Sequence, residues 1–403
     1  MAARLNPGLA CRAVTGDIIL ALVVVTALGF DFTNGFHDTA NAMATTIATG
    51  ALPPRLAVAI AAILNFVGAF ISLSVAATVA SGIVNADVIT PTVVFGGLVG
   101  AIAWNLGTWW FGLPSSSSHA LIGGVIGSTL VAAGTSAIEG QGLLSKVIVP
   151  AILSPILAGL IAAVGVFLVY RIIRGFLEER AEREFRWAQV GSSSMVALAH
   201  GTNDAQKTMG VICLALIANG NLQGGENFHV PTWVVVSCAT AIALGTYAGG
   251  WRIIKTLGTK VVEVRPPQGF GSEAVAATVI LVSSNAGYPL STTQVVSGAV
   301  TGAGVGRPRA RVNWAVAGRI VAGWVLTLPM AALTGGLVFA IIKLFGEDSA
   351  VGPIVVGVIL VIGCLLLWRA NRRHEVDPSE AISEHALFGQ GGESSASPTP
   401  VAV

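Results

Sequence analysis

The chain has 403 residues, of which 54% are hydrophobic and only 10% are charged, and its formal net charge at pH 7 is +2. Soluble proteins carry roughly 25% charged residues, so this composition excludes an ordinary soluble globular protein. The small net charge gives no basic surface for nucleic acid, which is therefore not a predicted partner. Apolar runs long enough to cross a bilayer recur along the chain and predict an all-α polytopic membrane protein.

The N-terminal part of the chain carries Arg4 and Arg12 ahead of the first apolar run. This pattern is similar to a signal peptide, but the run continues into a polar motif without a convincing cleavage site, so we predict a first membrane span. Residues 1–15 are predicted to be an N-terminal segment outside the cytoplasm. The first membrane repeat is predicted over residues 16–173.

The first polar motif lies within this apolar block at residues 35–43, Gly-Phe-His-Asp-Thr-Ala-Asn-Ala-Met. A carboxylate at membrane depth costs about 2.5–3.5 kcal/mol on insertion scales if it faces lipid. We therefore expect Asp38 to face a cavity or a partner.

A second polar stretch, Gly-Leu-Pro-Ser-Ser-Ser-Ser-His, interrupts the apolar runs at residues 112–119. Proline stops a continuing helix but fits the first turn of a new one, and hydroxyls cap such a start. The free backbone N–H groups and the positive dipole end of a helix start suit a tetrahedral oxyanion. The candidate oxyanion-binding residues here are Ser115, Ser116, Ser117 and Ser118.

A charged linker, predicted to be cytoplasmic over residues 174–186, leads to a second membrane repeat, residues 187–345. Its motif at residues 201–209 aligns with the first motif, so that Asp204 stands opposite Asp38 and Lys207 stands opposite Asn41. The second hydroxyl cluster follows at residues 288–294 and aligns with the first; it contains Ser291, Thr292 and Thr293. Two matches in the same order indicate an internal duplication.

The distribution of basic residues predicts the orientation of these repeats. If the linker is cytoplasmic, most of the 22 Lys and Arg residues lie in loops on its side. The residues on the opposite side are only Arg4, Arg12, Lys146 and Lys343. The first repeat then begins outside and the second begins inside, which predicts two inverted-topology repeats with a site at their interface near the midplane.

The C-terminal part is predicted to contain an extra span, residues 351–368, and a disordered acidic cytoplasmic tail, residues 374–403, rich in Ser, Pro and Gly. The chain would then have its N-terminus outside and its C-terminus in the cytoplasm. The four cysteines have no metal-ligand spacing and predict no cofactor; they are Cys11, Cys213, Cys238 and Cys364.

Three stretches carry a resemblance to a known family: residues 34–42, Asn-Gly-Phe-His-Asp-Thr-Ala-Asn-Ala; residues 104–119, Trp-Asn-Leu-Gly-Thr-Trp-Trp-Phe-Gly-Leu-Pro-Ser-Ser-Ser-Ser-His; and residues 200–207, His-Gly-Thr-Asn-Asp-Ala-Gln-Lys. Over about residues 16–345 the chain resembles the inorganic phosphate transporter (PiT) family, and within it the bacterial low-affinity branch. The resemblance implies inverted repeats, two re-entrant helical hairpins and symport of phosphate with a cation. It implies by position an ion and phosphate site containing Asp38, Asn41, Asn203 and Asp204, with the two hydroxyl clusters at the hairpin tips.

Sodium-coupled members of the family resemble a pattern with Asn at the position of Lys207 and often an acid at the position of Asn65. This chain departs from that pattern at both positions. A fixed ammonium at Lys207 could attract phosphate and occupy the space of a mobile sodium ion. We therefore predict co-transported protons, with sodium as the alternative, and Asp38 or Asp204 as the proton carrier. The substrate is either free phosphate or a divalent-metal phosphate. The other interpretation of Lys207 is that it snorkels or pairs with Asp204.

The predicted partners are inorganic phosphate and the lipid bilayer. The predicted location is the plasma membrane of a bacterium. The sequence does not decide whether the protein forms a homo-oligomer. A sulfate permease is the nearest alternative, but phosphate retains a proton at neutral pH that can be donated to a carboxylate. A channel is a second alternative. A serine hydrolase pairing one residue of the first hydroxyl cluster with His119 is a third, although adjacent residues rarely present a nucleophile and a base to each other. The hydroxyl clusters could also satisfy neighbouring helix backbones, and the roles of His37 and His200 are open.

Overall fold

The computed structural model describes residues 7–85, 89–175, 178–225, 228–347, 349–373 and 376–382. Apart from two isolated β-bridges, the regular structure in these residues is helical. The α-helices are α1 (Pro7–Ala48), α2 (Pro54–Gly68), α3 (Ser74–Ser81), α4 (Pro91–Trp110), α5 (Ser117–Ala133), α6 (Gly140–Leu143), α7 (Val149–Ile172), α8 (Glu178–Ala218), α9 (Thr232–Ala248), α10 (Trp251–Lys255), α11 (Pro266–Asn285), α12 (Thr292–Gly306), α13 (Trp314–Lys343) and α14 (Val351–Asn371). Short π-helical segments, Leu144–Ile148 and Thr256–Lys260, adjoin α7 and α10.

Five of the described helical segments are long and apolar enough to cross a membrane, or six if the bent pair Thr232–Ala248 and Trp251–Lys260 forms one span. Four of these five segments expose most of their apolar side chains on the outside of the bundle, as expected where the surrounding solvent is lipid, whereas Pro91–Trp110 is mostly buried. The prediction of an all-α, multi-pass membrane protein is confirmed.

The boundaries differ from the predicted ones at the linker. Residues 178–186 form the first turns of α8, so most of the predicted linker is continuous with the second motif helix. The segment is rich in Glu and Arg, which are good helix formers, and this explains why the charged stretch does not interrupt the helix.

Two helical hairpins dominate the interior, α4 with α5 and α11 with α12. Each turn contains a glycine with positive φ, Gly112 at 62° and Gly287 at 76°, a conformation that glycine adopts without steric cost. The flanks of the first hairpin meet in an antiparallel bridge between Val84 and Ile138, and those of the second meet between Val262 and Val312. Each hairpin therefore begins and ends on the same side of the molecule.

The helices of the two halves cross in a reciprocal way. Helix α1 packs on α9 while α8 packs on α2, and α5 packs on α13 while α12 packs on α7. Glycines allow the closest crossings: a Cβ added at Gly35 would lie 2.3 Å from the Ile242 carbonyl, and one at Gly201 would lie 2.2 Å from the Asn65 carbonyl. Small residues at such crossings are typical of membrane helices, and they bring both polar motifs to the centre of the bundle.

The described residues after α14 return to the helical body. Pro378–Ala381 form a 3-10 turn in which Ala381 is buried, and Glu380 accepts a hydrogen bond from Lys255. This bond and the nearby ammonium charge lower the pKa of Glu380. Residues 1–6 of the predicted N-terminal segment and residues 374, 375 and 383–403 of the predicted tail lie outside the described residues.

Candidate functional site

The two polar motifs bring their aspartates together where α1 and α8 meet. Asp38 and Asp204 are 1% and 0% exposed. One ligand atom each from Asp38, Asp204 and His200 lie within 4.8 Å of one another. Two carboxylates and an imidazole are ligands that divalent cations accept, so these three side chains could hold one.

The hydroxyls at the start of α5 and α12 converge on this pair of carboxylates. Ser117 Oγ donates a hydrogen bond to Asp38 Oδ2 at 2.7 Å. Thr292 Oγ1 lies 3.0 Å from Asp204 Oδ2 and 3.4 Å from Asp38 Oδ2, between the two acids. Thr293 Oγ1 lies 3.4 Å from Asp38 Oδ1. Each motif therefore contributes an acid and each hairpin contributes hydroxyl donors to one centre.

Two of the predicted site hydroxyls cap these helices instead. Ser116 Oγ accepts from the backbone N–H of His119 at 3.1 Å, and Ser291 Oγ accepts from that of Gln294 at 3.3 Å. Both are N-caps, which fix the direction of each helix start. The positive ends of the two helix dipoles then face the carboxylates, which stabilises negative charge between them.

Lys207 lies beside the second aspartate and is only 1% exposed. Its ammonium group donates to Asp204 Oδ1, to Ser118 Oγ at 2.6 Å and to the Leu290 carbonyl at 2.5 Å. Ammonium has three N–H donors, so none remains for a bound anion in this structure. Of the two interpretations of Lys207, pairing with Asp204 is the one that the geometry shows.

The two histidines beside the aspartates have different partners. His37 Nδ1 lies 2.6 Å from Asp38 Oδ1, and its Nε2 lies 3.4 Å from both Thr108 Oγ1 and Ser115 Oγ. These two hydroxyls bond each other at 2.7 Å. Ser115 therefore belongs to the surroundings of His37 and does not contact the carboxylates directly.

His200 joins the pair of acids to α2. Its Nε2 lies 3.0 Å from Asp204 Oδ2 and 4.0 Å from Asp38 Oδ2, and its Nδ1 lies 3.0 Å from Asn65 Oδ1. Asn65 Nδ2 donates to Thr246 Oγ1 at 2.8 Å, so the amide oxygen faces the histidine. Asn65, where the sodium-coupled pattern often has an acid, thus orients the His200 ring.

The two predicted site asparagines attach the second hairpin to the motif helices. Asn41 Nδ2 donates to Thr293 Oγ1 at 3.0 Å, and Asn203 Nδ2 donates to Ser284 Oγ at 2.7 Å. The Oδ1 atoms of both asparagines are buried and accept no hydrogen bond from any described residue. Unpaired buried carbonyl oxygens are suited to a cation or to a ligand that carries a donor.

Sequence reasoning missed a further buried acid, Glu273 of α11. Its Oε1 accepts from Thr45 Oγ1 at 2.6 Å, Thr46 Oγ1 at 2.8 Å and Gln189 Nε2 at 3.0 Å, and its Oε2 accepts from Ser192 Oγ at 2.6 Å. The carboxylate thus joins α1, α8 and α11. It is the one charged residue of α11, and a lone charge in an apolar helix is a signal that would have found it.

Residues 34–177 and 174–335 match the family model described as "Phosphate transporter family". A Mycobacterium tuberculosis (strain ATCC 25618 / H37Rv) relative named "Probable low-affinity inorganic phosphate transporter" is 55% identical over 359 residues, covering 89% of this chain and 85% of the relative. A Bacillus subtilis (strain 168) relative of the same name is 42% identical over 333 residues, covering 81% and 98%. A solved structure described as "The sodium-dependent phosphate transporter" superimposes with a TM-score of 0.70 at 26% identity, covering 81% of this chain and 99% of that one.

Proposed function

Because the chain belongs to the phosphate transporter family, we propose that it imports inorganic phosphate by cation symport, with protons rather than sodium as the coupling ion. Its relatives are named as transporters and not as enzymes, so the chain is a transporter and the hydrolase alternative is set aside. The proposed site lies between the two motifs and the starts of α5 and α12.

The observation that carries the choice of proton is the ion pair between Lys207 and Asp204. In the pattern that sodium-coupled members resemble, an asparagine at this position would leave the aspartate free to bind a sodium ion. Here a fixed ammonium occupies one oxygen of that carboxylate. A fixed charge cannot be transported, so the mobile positive charge has to bind elsewhere, and Asp38 has no fixed cation against it among the described lysines and arginines.

Proton and phosphate binding are coupled through the hydroxyls in this proposal. Ser117 and Thr293 direct their O–H groups at Asp38 in the structure. Once Asp38 is protonated it is a weaker acceptor, and these hydroxyls, together with the first N–H groups of α5 and α12, can turn to phosphate oxygens. An ionised Asp38 would repel phosphate, so loading requires the proton and release follows when the proton leaves.

The membrane potential makes a co-transported positive charge necessary for import of the phosphate anion. Carrying one negative charge into a cell costs about 2.3 kcal/mol per 100 mV of inside-negative potential, and a dianion costs twice that. Co-transported protons offset this cost. A second candidate substrate is a neutral divalent-metal phosphate, which is supported by the ligand atoms of Asp38, His200 and Asp204 lying within 4.8 Å of one another.

We further propose that the two halves, residues 16–173 and 187–345, are inverted repeats that operate by alternating access, with α4–α5 and α11–α12 as re-entrant hairpins. The reciprocal crossings of α1 with α9 and of α8 with α2 support this arrangement. The excess of basic residues on the linker side supports an outside N-terminus and a cytoplasmic C-terminus in the bacterial plasma membrane.

Uptake of labelled phosphate by the purified protein in liposomes tests the proposal. An imposed pH gradient, acidic outside, is expected to drive accumulation without sodium, and excess sulfate is expected to leave it unchanged. Strict dependence on sodium with no response to the pH gradient would overturn proton coupling. Equal competition by sulfate would overturn the choice of phosphate over sulfate.

A further inference from the structure

Helix α1 carries a third buried aspartate that the proposed site does not use. Asp31 is 0% exposed and lies seven residues before Asp38, which is two helical turns and places both on one face of the helix. Its Oδ1 accepts a hydrogen bond from Thr208 Oγ1 of α8 at 2.9 Å. Its Oδ2 has no hydrogen-bond partner among the described residues. Leaving an ionised carboxylate oxygen buried without a partner is costly.

Asn34, one turn further along α1, also has a buried oxygen without a hydrogen-bond donor among the described residues. Asn34 is 2% exposed, interacts with Asp31, and has an Oδ1 atom with no donor in the described part of the chain. The Asn34 amide hydrogen-bonds the Asp31 carboxylate as a donor. One oxygen of each side chain still lacks a donor among the described residues. Protonation of Asp31 removes the charge from its unpartnered oxygen.

The charges around Asp31 also favour a proton there. The charged and titratable groups that face it are Asp204 and Lys207 from α8 and Cys238 from α9. Lys207 is already bound to Asp204, so Asp31 has no cation of its own among them. With Asp31, Asp38 and Asp204 all ionised, three buried carboxylates would share one lysine ammonium group, Lys207, while the imidazoles of His37 and His200 lie against Asp38 and Asp204 and not against Asp31. Uncompensated buried charge of this kind is usually neutralised by protonation.

We propose that Asp31 is a second proton-carrying carboxyl group, which relays protons between one side of the membrane and the Asp38–Asp204 site. This inference rests on the proton symport proposed above. Asp31, Asn34, Asp38 and Asn41 follow one another at helical spacing, so they form a continuous polar stripe along α1. In the proposed orientation Asp31 is on the outer side of that stripe.

The proton transfer is balanced without any further reactant. The O–H bond of Asp31 breaks, the proton moves about 10 Å along α1, and an O–H bond forms on the ionised Asp38. The negative charge moves from Asp38 to Asp31, and Asp31 regains a proton from the outer solution. Thr208, which is next to Lys207 in the chain, holds the Asp31 carboxyl in place during this step.

The test compares Asp31→Asn with Asp17→Asn, which changes an exposed aspartate on the same helix. Asp31→Asn should reduce phosphate uptake driven by a pH gradient by about a hundredfold or more, which is the lower end of what proton transfer by a positioned side chain contributes. Exchange of labelled for unlabelled phosphate at equal pH needs no net proton movement and should persist. Asp17→Asn should leave both rates unchanged, and Asp31→Glu should restore part of the driven uptake.

Several outcomes would overturn this inference. Driven uptake by Asp31→Asn at the wild-type rate would show that Asp31 carries no proton. Loss of exchange together with driven uptake would make Asp31 part of the phosphate site or of the fold. Uptake that responds to sodium in the wild type but not in Asp31→Asn would assign these oxygens to a sodium ion. If the wild type itself ignores the pH gradient, the proposed function fails and this inference fails with it.

Discussion

Lys207 and Asp204, three residues apart on α8, form a buried ion pair beside the starts of both inner hairpin helices. Removing one member of a buried ion pair typically costs about 3–5 kcal/mol because the other charge is left without compensation. The pair is therefore stable until another charge of comparable strength enters. In the proposed mechanism, a phosphate anion next to Lys207 or a cation next to Asp204 would be such a charge, so substrate and coupling ion would act on each other through this pair.

Replacing Lys207 by Asn should convert the coupling of the transporter. The substitution frees Asp204 to bind a mobile cation, so phosphate uptake by Lys207→Asn should become stimulated by sodium and lose its response to a pH gradient. Uptake into liposomes with sodium or choline outside measures this. Lys343→Asn, which removes a half-exposed lysine paired with Glu347, is the matched control and should behave as wild type. Uptake by Lys207→Asn that remains proton-driven and independent of sodium would contradict the prediction.

Both aspartates should be essential for accumulation but not equally important for folding. Asp38→Asn keeps the shape of the side chain and leaves the Lys207–Asp204 pair intact, so it should abolish phosphate accumulation with a smaller decrease in melting temperature than Asp204→Asn. Asp204→Asn should abolish accumulation and also lower the melting temperature, because the Lys207 ammonium loses its counter-ion. Fluorescence-monitored unfolding in detergent gives the second measurement. Normal accumulation by either variant would exclude that aspartate from the site.

The hairpin hydroxyls should separate into two groups. Ser117→Ala, Thr292→Ala and Thr293→Ala each remove a hydrogen bond to a charged group, worth about 1.5–3 kcal/mol. If these donors turn to phosphate, the apparent affinity should fall about tenfold or more for each. Ser116→Ala and Ser291→Ala instead remove helix caps and should lower stability by about 0.5–2 kcal/mol with a smaller effect on affinity. The same affinity in both groups would refute the division.

Glu273 should be needed to hold three helices together. Glu273→Ala leaves the hydroxyls of Thr45, Thr46 and Ser192 without their acceptor, and each buried unsatisfied group costs about 1–3 kcal/mol. We expect a clearly lower melting temperature, with a smaller decrease for Glu273→Gln because its carbonyl oxygen still accepts. Glu139→Ala, at an exposed position, is the control. Equal stability of Glu273→Ala and wild type would show that the cluster contributes nothing to the fold.

Two glycines should be irreplaceable while their neighbours on the same helices are not. In Gly35→Ala and Gly201→Ala the added methyl group would lie 2.3 and 2.2 Å from a backbone oxygen of the crossing helix, so the helices must separate and the folded yield should fall sharply. The controls are Gly29→Ala and Gly191→Ala, where no atom lies within 4 Å of the added carbon. These should be neutral or stabilised by up to about 1 kcal/mol through helix propensity. Normal yield of Gly35→Ala and Gly201→Ala would contradict the helix crossings.

The sequence by itself determined the class of the protein and the contents of its centre. Long continuous apolar runs with few charges predict membrane helices, because such a run satisfies its backbone in lipid within one segment when it is helical. Charged and hydroxyl residues that interrupt such runs have to meet one another, and the paired motifs identified Asp38 and Asp204 for that reason. Local rules also predicted that a hydroxyl would cap α5, and Ser116 does so.

Only the tertiary structure decided which partner each polar side chain has. The sequence allowed Lys207 either to attract phosphate or to pair with Asp204. In the structure its ammonium group donates to Asp204 and to the carbonyl of Leu290 in the turn before α12. Asn203 faces Ser284 of α11, and Glu273 collects donors from α1 and α8. Helical periodicity assigns residues to faces of one helix, but the partner on another helix depends on where the two helices cross and on their relative rotation. The crossing point and the relative rotation are set by close approaches at glycines, such as Gly35 of α1 against α9 and Gly201 of α8 against α2. No local pattern in the chain encodes these approaches.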